Sequence, residues 1–251
     1  MIRSLLAPIY CRLIKAIAYG PWGPIVHGVL IRIFKSLYGI SYSGEKKFAT
    51  LGDFFLRDSS FQSDSSELVS PVEALVFEGP LQLPSSRTIS VKNIEYAWSE
   101  FPELTGSPLL KRSTAWNLYL APYHYHWVHA PSSGEMLEAM HVSGAAYPVN
   151  ALGRRLNPRL YVENERVSFR WRHPQMGEIV MMCVGAMGVS GLYCPLSNSI
   201  PERKWGALTP TVRKGDKLLA FQLGSTVILL IENVNQPKEL PNSIKLGESL
   251  C

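Results

Sequence analysis

The stretch YHYHWVHAP, residues 123–131, holds His124, His126 and His129. Three of the chain's six histidines thus fall within six positions. Imidazole is the side chain whose ordinary pKa suits proton transfer near neutral pH, and it is also a common metal ligand. On a strand, His124 and His126 would share a face and His129 would point away; in a turn, His126 and His129 could converge. The HxHxxH spacing invites a metal, but the cluster contains no acid, and no companion cysteine or carboxylate motif accompanies it. No metal site is therefore expected. Flanked by Pro122 and Pro131, the cluster reads as a site rather than as core.

Other candidates are weaker one by one. In FQLGSTVILLIE, 221–232, Gly224, Ser225 and Thr226 precede the apolar run Val227–Ile231. Turn residues before a buried strand are the ordinary explanation. Ser225 lacks the G-x-S-x-G elbow of a serine hydrolase. In SPVEALV, 70–76, Glu73 interrupts an apolar sequence, as an exposed strand-edge carboxylate would. GAMGVSG, 185–191, lacks both the GxGxxG pattern and the P-loop lysine. Its glycines are better explained by another backbone passing close to a strand. NER, 164–166, reads as a polar turn.

The elements around these residues suggest a mainly β domain. After residue 45 the apolar runs are short: Leu75–Phe77, Leu118–Leu120, Val180–Val184, Leu218–Phe221 and Val227–Ile231. Turn signals separate them. Leu51–Arg57 and Ala97–Leu104 read as short helices, and the Ser-rich stretch 59–67 as an exposed loop. With 46% apolar and 18% charged residues, the 251-residue chain can bury a sizeable core, which excludes global disorder.

The net charge of +5 lies wholly in residues 1–44, which carry Arg3, Arg12, Lys15, Arg32 and Lys35 and no acid. The longest uncharged run there, Ala16 to Ile31, is 16 residues and contains two prolines. A spanning helix needs about 20. Arg12 and Lys15 interrupt the apolar region a signal peptide would need. A basic, apolar, helix-forming segment suits a membrane surface bearing anionic lipid; core-packing helices with solvated cations are the alternative. No nucleic-acid partner is expected. Cysteines 11, 183, 194 and 251 show no zinc-like or CxxC spacing. Cys183 and Cys194 read as buried thiols, which points to a reducing compartment.

The motifs gain meaning from their order. FFLR at 54–57, SPVEA at 70–74, YHWVHAP at 125–131, YPVN at 147–150, NERV at 164–167, VGAMGVSG at 184–191 and KGD…FQLGSTV at 214–227 together resemble the phosphatidylserine decarboxylase family. The resemblance covers nearly everything after residue 50. It implies a proenzyme that cuts itself between Gly224 and Ser225, giving a β chain 1–224 and an α chain 225–251. The serine Oγ would attack the Gly224 carbonyl; elimination would leave dehydroalanine, and its hydrolysis with loss of ammonia would leave Ser225 as a pyruvoyl group. The resemblance further implies that phosphatidylserine forms a Schiff base with this ketone, loses CO2 and is released as phosphatidylethanolamine. His129 aligns with the family's self-processing base, Glu73 with its acid and His126 with the histidine implicated in decarboxylation. Two positions depart from the family pattern: Glu73-Ala74 replaces Asp-Gly, and His124 replaces an Asp.

The expected architecture is α+β, a mainly antiparallel β core with N-terminal amphipathic helices. The expected divisions are a membrane-associating helical segment, 1–45, and a decarboxylase catalytic domain, 46–251. Alternative readings are an unprocessed homologue that binds phospholipid without turnover, and a histidine-ligated metal hydrolase. A peripheral location on the cytoplasmic face of a bacterial inner membrane is expected, with the mitochondrial inner membrane as alternative. A homo-oligomer is left open.

Overall fold

The computed structural model describes residues 13, 15–40, 42, 47–59, 61–83, 88–91, 94–145, 147, 149, 157–185, 192–197, 199–221 and 225–251. An eight-stranded antiparallel sheet dominates it. The strands are β1 (Ala74–Leu83), β4 (Ser113–Leu120), β6 (Gly134–Val142), β7 (Arg166–His173), β8 (Gly177–Val184), β10 (Gly206–Val212), β12 (Ser225–Ile231) and β13 (Ser243–Ile244). Their spatial order is β10-β6-β7-β8-β12-β4-β1-β13. A second sheet joins β5 (Trp127–His129), β11 (Lys217–Phe221) and β9 (Leu192–Tyr193) in the order β5-β11-β9. β2 (Thr88–Val91) and β3 (Ile94–Ala97) form a separate two-stranded ribbon. All five apolar runs named above lie in strands.

β12 shows why its sequence is apolar throughout. It lies between β8 and β4, and every residue in it is buried. A strand covered on both faces needs no polar alternation. Its side chains divide by parity. Val227, Leu229 and Ile231 enter a core shared with Trp116, Leu118, Leu120, Val128, Leu219 and Phe221, between the large and small sheets. Ile228 and Leu230 enter the opposite core with Trp98, Phe101, Leu104 and Tyr161. The segment 225–251 is held at its other end as well. Leu250 is fully buried, β13 pairs with β1, and the Ser249 amide donates to Asp64 at 2.9 Å.

Helix α1 (Gly23–Tyr38) starts with Pro24 in its first turn and stops at Gly39, whose left-handed φ of 62° suits glycine. Helix α2 (Leu51–Phe55) starts on a reciprocal cap: Thr50 Oγ1 accepts from the Asp53 amide, and Asp53 accepts from the Thr50 amide, both at 3.0 Å. The two helices pack through Leu30, Ile31 and Phe34 against Leu51, Phe54 and Phe55. The expected division at residue 45 therefore falls between two helices that share one apolar cluster.

Three local expectations need correction. The expected helix 51–57 ends at Phe55. Residues 97–104 form two 3-10 turns, Trp98–Glu100 and Pro102–Leu104, because Pro102 disfavours a helical Phe101 and lacks the amide needed to continue. NER is not an exposed turn. Asn164 and Arg166 are buried at the start of β7, where the Arg166 guanidinium pairs with the equally buried Glu103. The polar residues are inside because each finds a partner there. Loop 61–67 is irregular and largely exposed, and Cys183 and Cys194 are buried, as expected.

Candidate active site

Ser225 is the first residue of β12 and pairs with Leu120, the last residue of β4. Its parity is that of Val227, so its side chain faces the core between the sheets. It is fully buried, and its Oγ has no hydrogen-bond partner among the described residues. Gly224 lies outside the described residues, as do 186–191 of the glycine-rich stretch. Gly185 itself fits the expected close approach: an added Cβ would stand 3.1 Å from the Glu165 carbonyl.

The histidine loop follows directly from β4. His124 and His126 precede β5, and His129 ends it. All three are buried. The His126 carbonyl accepts from the Phe221 amide at 2.9 Å, which ties the loop to the strand leading into Ser225. Both ring nitrogens of His126 lack a partner among the described residues. Burial, reinforced by the positive charge of Arg57, lowers its pKa to about 3, so the ring is neutral at pH 7. His124 Nδ1 accepts from the Ala121 amide at 3.0 Å; burial lowers its pKa too. It serves the turn from within the loop.

His129 is oriented by a group that sequence reasoning did not single out. Its Nδ1 lies 2.7 Å from the Gly215 carbonyl. A carbonyl can only accept, so Nδ1 carries the proton and Nε2 presents the lone pair. The Tyr125 hydroxyl meets Nε2 at 3.2 Å, and Phe61 stacks on the ring at 5.2 Å. Burial outweighs the Gly215 hydrogen bond and lowers the His129 pKa. Val128 enters the core, so Trp127 and His129 occupy the other face of β5.

Glu73 does not meet His129. Both imidazole nitrogens have other partners, and the Glu73 carboxylate accepts from the Tyr125 amide at 3.0 Å. It lines a cavity of about 280 Å³ with Arg57, Tyr38, Tyr42, Tyr123 and Tyr125. Tyr125 links the carboxylate to His129, from amide to phenol. Glu73 is half-buried just ahead of β1, not an exposed edge residue.

Asn164 is a further residue whose place was not legible. Its Oδ1 accepts from the Tyr147 amide at 2.9 Å, and its Nδ2 donates to the carbonyls of Tyr147 and Gly185 at 2.7 and 2.9 Å. Gly185 follows β8, whose Val184 pairs with Thr226. Asn164 therefore ties the YPVN segment to the strand end beside Ser225. The signal was the NER motif itself. Among the described residues, no group of His, Cys, Asp and Glu is placed to hold a metal ion.

A buried nucleophile heading an internal strand, with neutral imidazoles in the adjoining loop, is an arrangement suited to a self-processing enzyme precursor. The phosphatidylserine decarboxylase family model matches residues 51–251. The phosphatidylserine decarboxylase proenzyme of Helicobacter pylori (strain ATCC 700392 / 26695) is 28% identical over 239 residues, covering 90% of this chain and 88% of the relative. That of Bacillus mycoides (strain KBAB4) is 29% identical over 234 residues, covering 88% and 83%. That of Bacillus cereus (strain B4264) is 30% identical over 228 residues, covering 83% and 78%. The chain belongs to the phosphatidylserine decarboxylase family. Membership makes it a carboxy-lyase that depends on a pyruvoyl group formed from a serine by self-cleavage.

Proposed function

We propose that this chain decarboxylates phosphatidylserine at a pyruvoyl group made from Ser225, after cleavage between Gly224 and Ser225. The observation that carries the assignment to Ser225 is its fully buried hydroxyl at the head of β12, without a hydrogen-bond partner among the described residues. A buried hydroxyl without a partner costs about 1–3 kcal/mol, so an orphaned one calls for a functional reason. The residue fits the group: elimination carries Oγ away with Gly224, so the buried hydroxyl is lost and the Ser225 side chain becomes a methyl group, which needs no partner. When formed, the pyruvoyl ketone supplies an electrophilic electron sink for loss of CO2 from an amino acid headgroup.

The chain's own residues take the following parts. Ser225 Oγ attacks the Gly224 carbonyl carbon and forms an ester as the peptide C–N bond breaks. Its hydroxyl proton needs a base. The family resemblance gives that part to His129, whose Nε2 lone pair is set by the Gly215 carbonyl; among the described residues it does not contact Ser225, so the loop must bring it to the hydroxyl, and the long Tyr125 hydrogen bond must yield as the proton arrives. Elimination across Cα–Cβ of Ser225 then frees Gly224 as a carboxylate, and the dehydroalanine left at 225 takes up water and loses ammonia to give the ketone. His126, held neutral by burial, serves proton transfer during decarboxylation. Glu73 holds the Tyr125 backbone and thereby the loop.

Residues 1–45 bring this site to lipid, and 46–251 form the catalytic domain. Helix α1 is apolar on two sides. His27, Leu30, Ile31 and Phe34 face the protein, whereas Ile25, Val29, Ile33 and Leu37, spaced by four, are exposed. Ile25 is 81% exposed and Leu37 74%. A helix apolar all round needs a second apolar surface, and Lys15, Arg32 and Lys35 match an anionic bilayer. Among the described residues no helix is long and apolar enough to cross a membrane. A peripheral place on the cytoplasmic face of a bacterial inner membrane accords with this.

Intact-mass measurement tests the reading. The wild type should resolve into chains 1–224 and 225–251. Ser225→Ala and His129→Ala should stay whole, whereas His126→Ala should cleave but fail to release CO2. A whole wild-type chain that nevertheless turns over phosphatidylserine would refute the assignment.

A further inference from the structure

His126 is held in an unusual way. It is fully buried, and neither ring nitrogen has a well-formed hydrogen bond among the described residues; a weaker contact with the His124 backbone is all that meets it. Its ring contact is with Phe55 of α2, edge to face, with centroids 5.3 Å apart and planes at 71°. Phe55 is itself 2% exposed and is held by Phe34 of α1 at 5.0 Å. The same helices grip the backbone of the loop. Arg57, just beyond α2, donates to the carbonyls of Tyr123 and His124 at 2.8 and 2.9 Å and to that of Phe54 at 3.3 Å. Tyr38, at the end of α1, meets Tyr123 at 5.9 Å, and Tyr123 meets His124 at 4.4 Å.

The loop backbone is pinned at residues 123, 124 and 126, and the buried His126 ring is confined chiefly by the side chain packed against it. Hydrogen bonds usually choose the orientation of a catalytic imidazole. Here that choice falls to shape. We propose that Phe55 is a positioning residue for His126: its ring, wedged by Phe34 from the inner face of α1, sets the orientation of the imidazole for decarboxylation. The helix whose outer face meets lipid thus also holds the ring that the chemistry uses. The inference rests on the reading that His126 serves decarboxylation, and it adds the group that aims it.

Phe55→Leu keeps an apolar side chain but removes the edge contact. Activity is expressed per cleaved site, with the cleaved fraction read by mass, on phosphatidylserine vesicles. Misplacing a reacting group by about an ångström costs about a hundred-fold. A fall in kcat of between about ten- and a hundred-fold is therefore expected, with KM little changed. The loosened pocket should also admit water, so the His126 imidazole, followed by nitrogen NMR, should titrate at higher pH than in the wild type. Arg57 and His124 are the charged or titratable groups that act on this ring; neither is altered. Phe48→Leu is the control, since Phe48 packs in the same aromatic cluster against Tyr42 and Phe54 and touches no histidine. It should move neither kcat nor the titration. If Phe55→Leu does not fold, Phe34→Leu, one ring further out, should give the same shifts in smaller measure. Unchanged kcat and titration in Phe55→Leu, or equal changes in Phe48→Leu, would overturn the proposal. Full decarboxylation by His126→Ala would instead defeat the reading beneath it.

Discussion

Removing the Ser225 hydroxyl should block cleavage and, less obviously, stabilise the uncut protein. The structure gives the magnitude. The Oγ is fully buried and unpartnered among the described residues, so the native state bears the desolvation of a hydroxyl, about 1–3 kcal/mol, which the unfolded chain does not. Alanine removes it at little loss of packing. Wild type is an unsuitable reference, because cleavage changes the covalent chain. His129→Ala is the better background, and the comparison is His129→Ala against His129→Ala with Ser225→Ala. Ser225 and His129 share no contact among the described residues, so the cost of losing His129 cancels. With a urea slope of about 3 kcal/mol/M for a chain of this size, a gain of about 1–2 kcal/mol moves the midpoint up by about 0.3–0.7 M. Equilibrium urea unfolding followed by tryptophan fluorescence measures it. A midpoint that stays put or falls would show that Oγ is hydrogen-bonded in the proenzyme, and the case for an orphaned nucleophile would be lost.

Glu73→Gln keeps an oxygen able to accept from Tyr125 but loses the charge, worth about 1 kcal/mol in such a bond; self-cleavage timed on a denaturing gel should slow about five-fold, and Glu73→Ala should slow it further. Equal rates in all three would make the carboxylate a bystander. Because burial lowers the His129 pKa, the ring remains the neutral base above that value, so the cleavage rate should stay flat from pH 8 to about 6.5, the ordinary imidazole value, and decline only at lower pH. A decline that begins near pH 7.5 would contradict a depressed base. Charging the outer face of α1 with Ile25→Glu and Ile33→Glu should weaken flotation with anionic vesicles while leaving self-cleavage intact; undiminished flotation would place the lipid contact elsewhere.

The amino-acid order alone singled out candidates for the chemistry and the segments that are strands. Five apolar runs between turn signals specified strands because burial of an extended chain needs little more than that. The glycine–serine pair before the last long run, in order with the histidine motif, located Ser225 at the head of a buried strand. Sequence also showed that the cations of residues 1–44 have no acidic partners within that segment. It could not say which groups meet across the fold. The loop histidines received different surroundings: Gly215 and Tyr125 engage both nitrogens of His129, whereas among the described residues the His126 nitrogens lack a well-formed hydrogen bond and the ring packs on Phe55. Spacing carries no information about a carbonyl 86 residues away. Glu73 looked like the partner of His129 and proved to hold Tyr125, since an acid just ahead of β1 takes whichever donor the neighbouring loop presents. NER read as a polar turn, yet its Asn164 and Arg166 are buried, because Glu103, Tyr147 and Gly185 satisfy them from distant segments. Local propensity and periodicity write the elements into the chain; long-range hydrogen bonds and ring contacts exist only once those elements have packed.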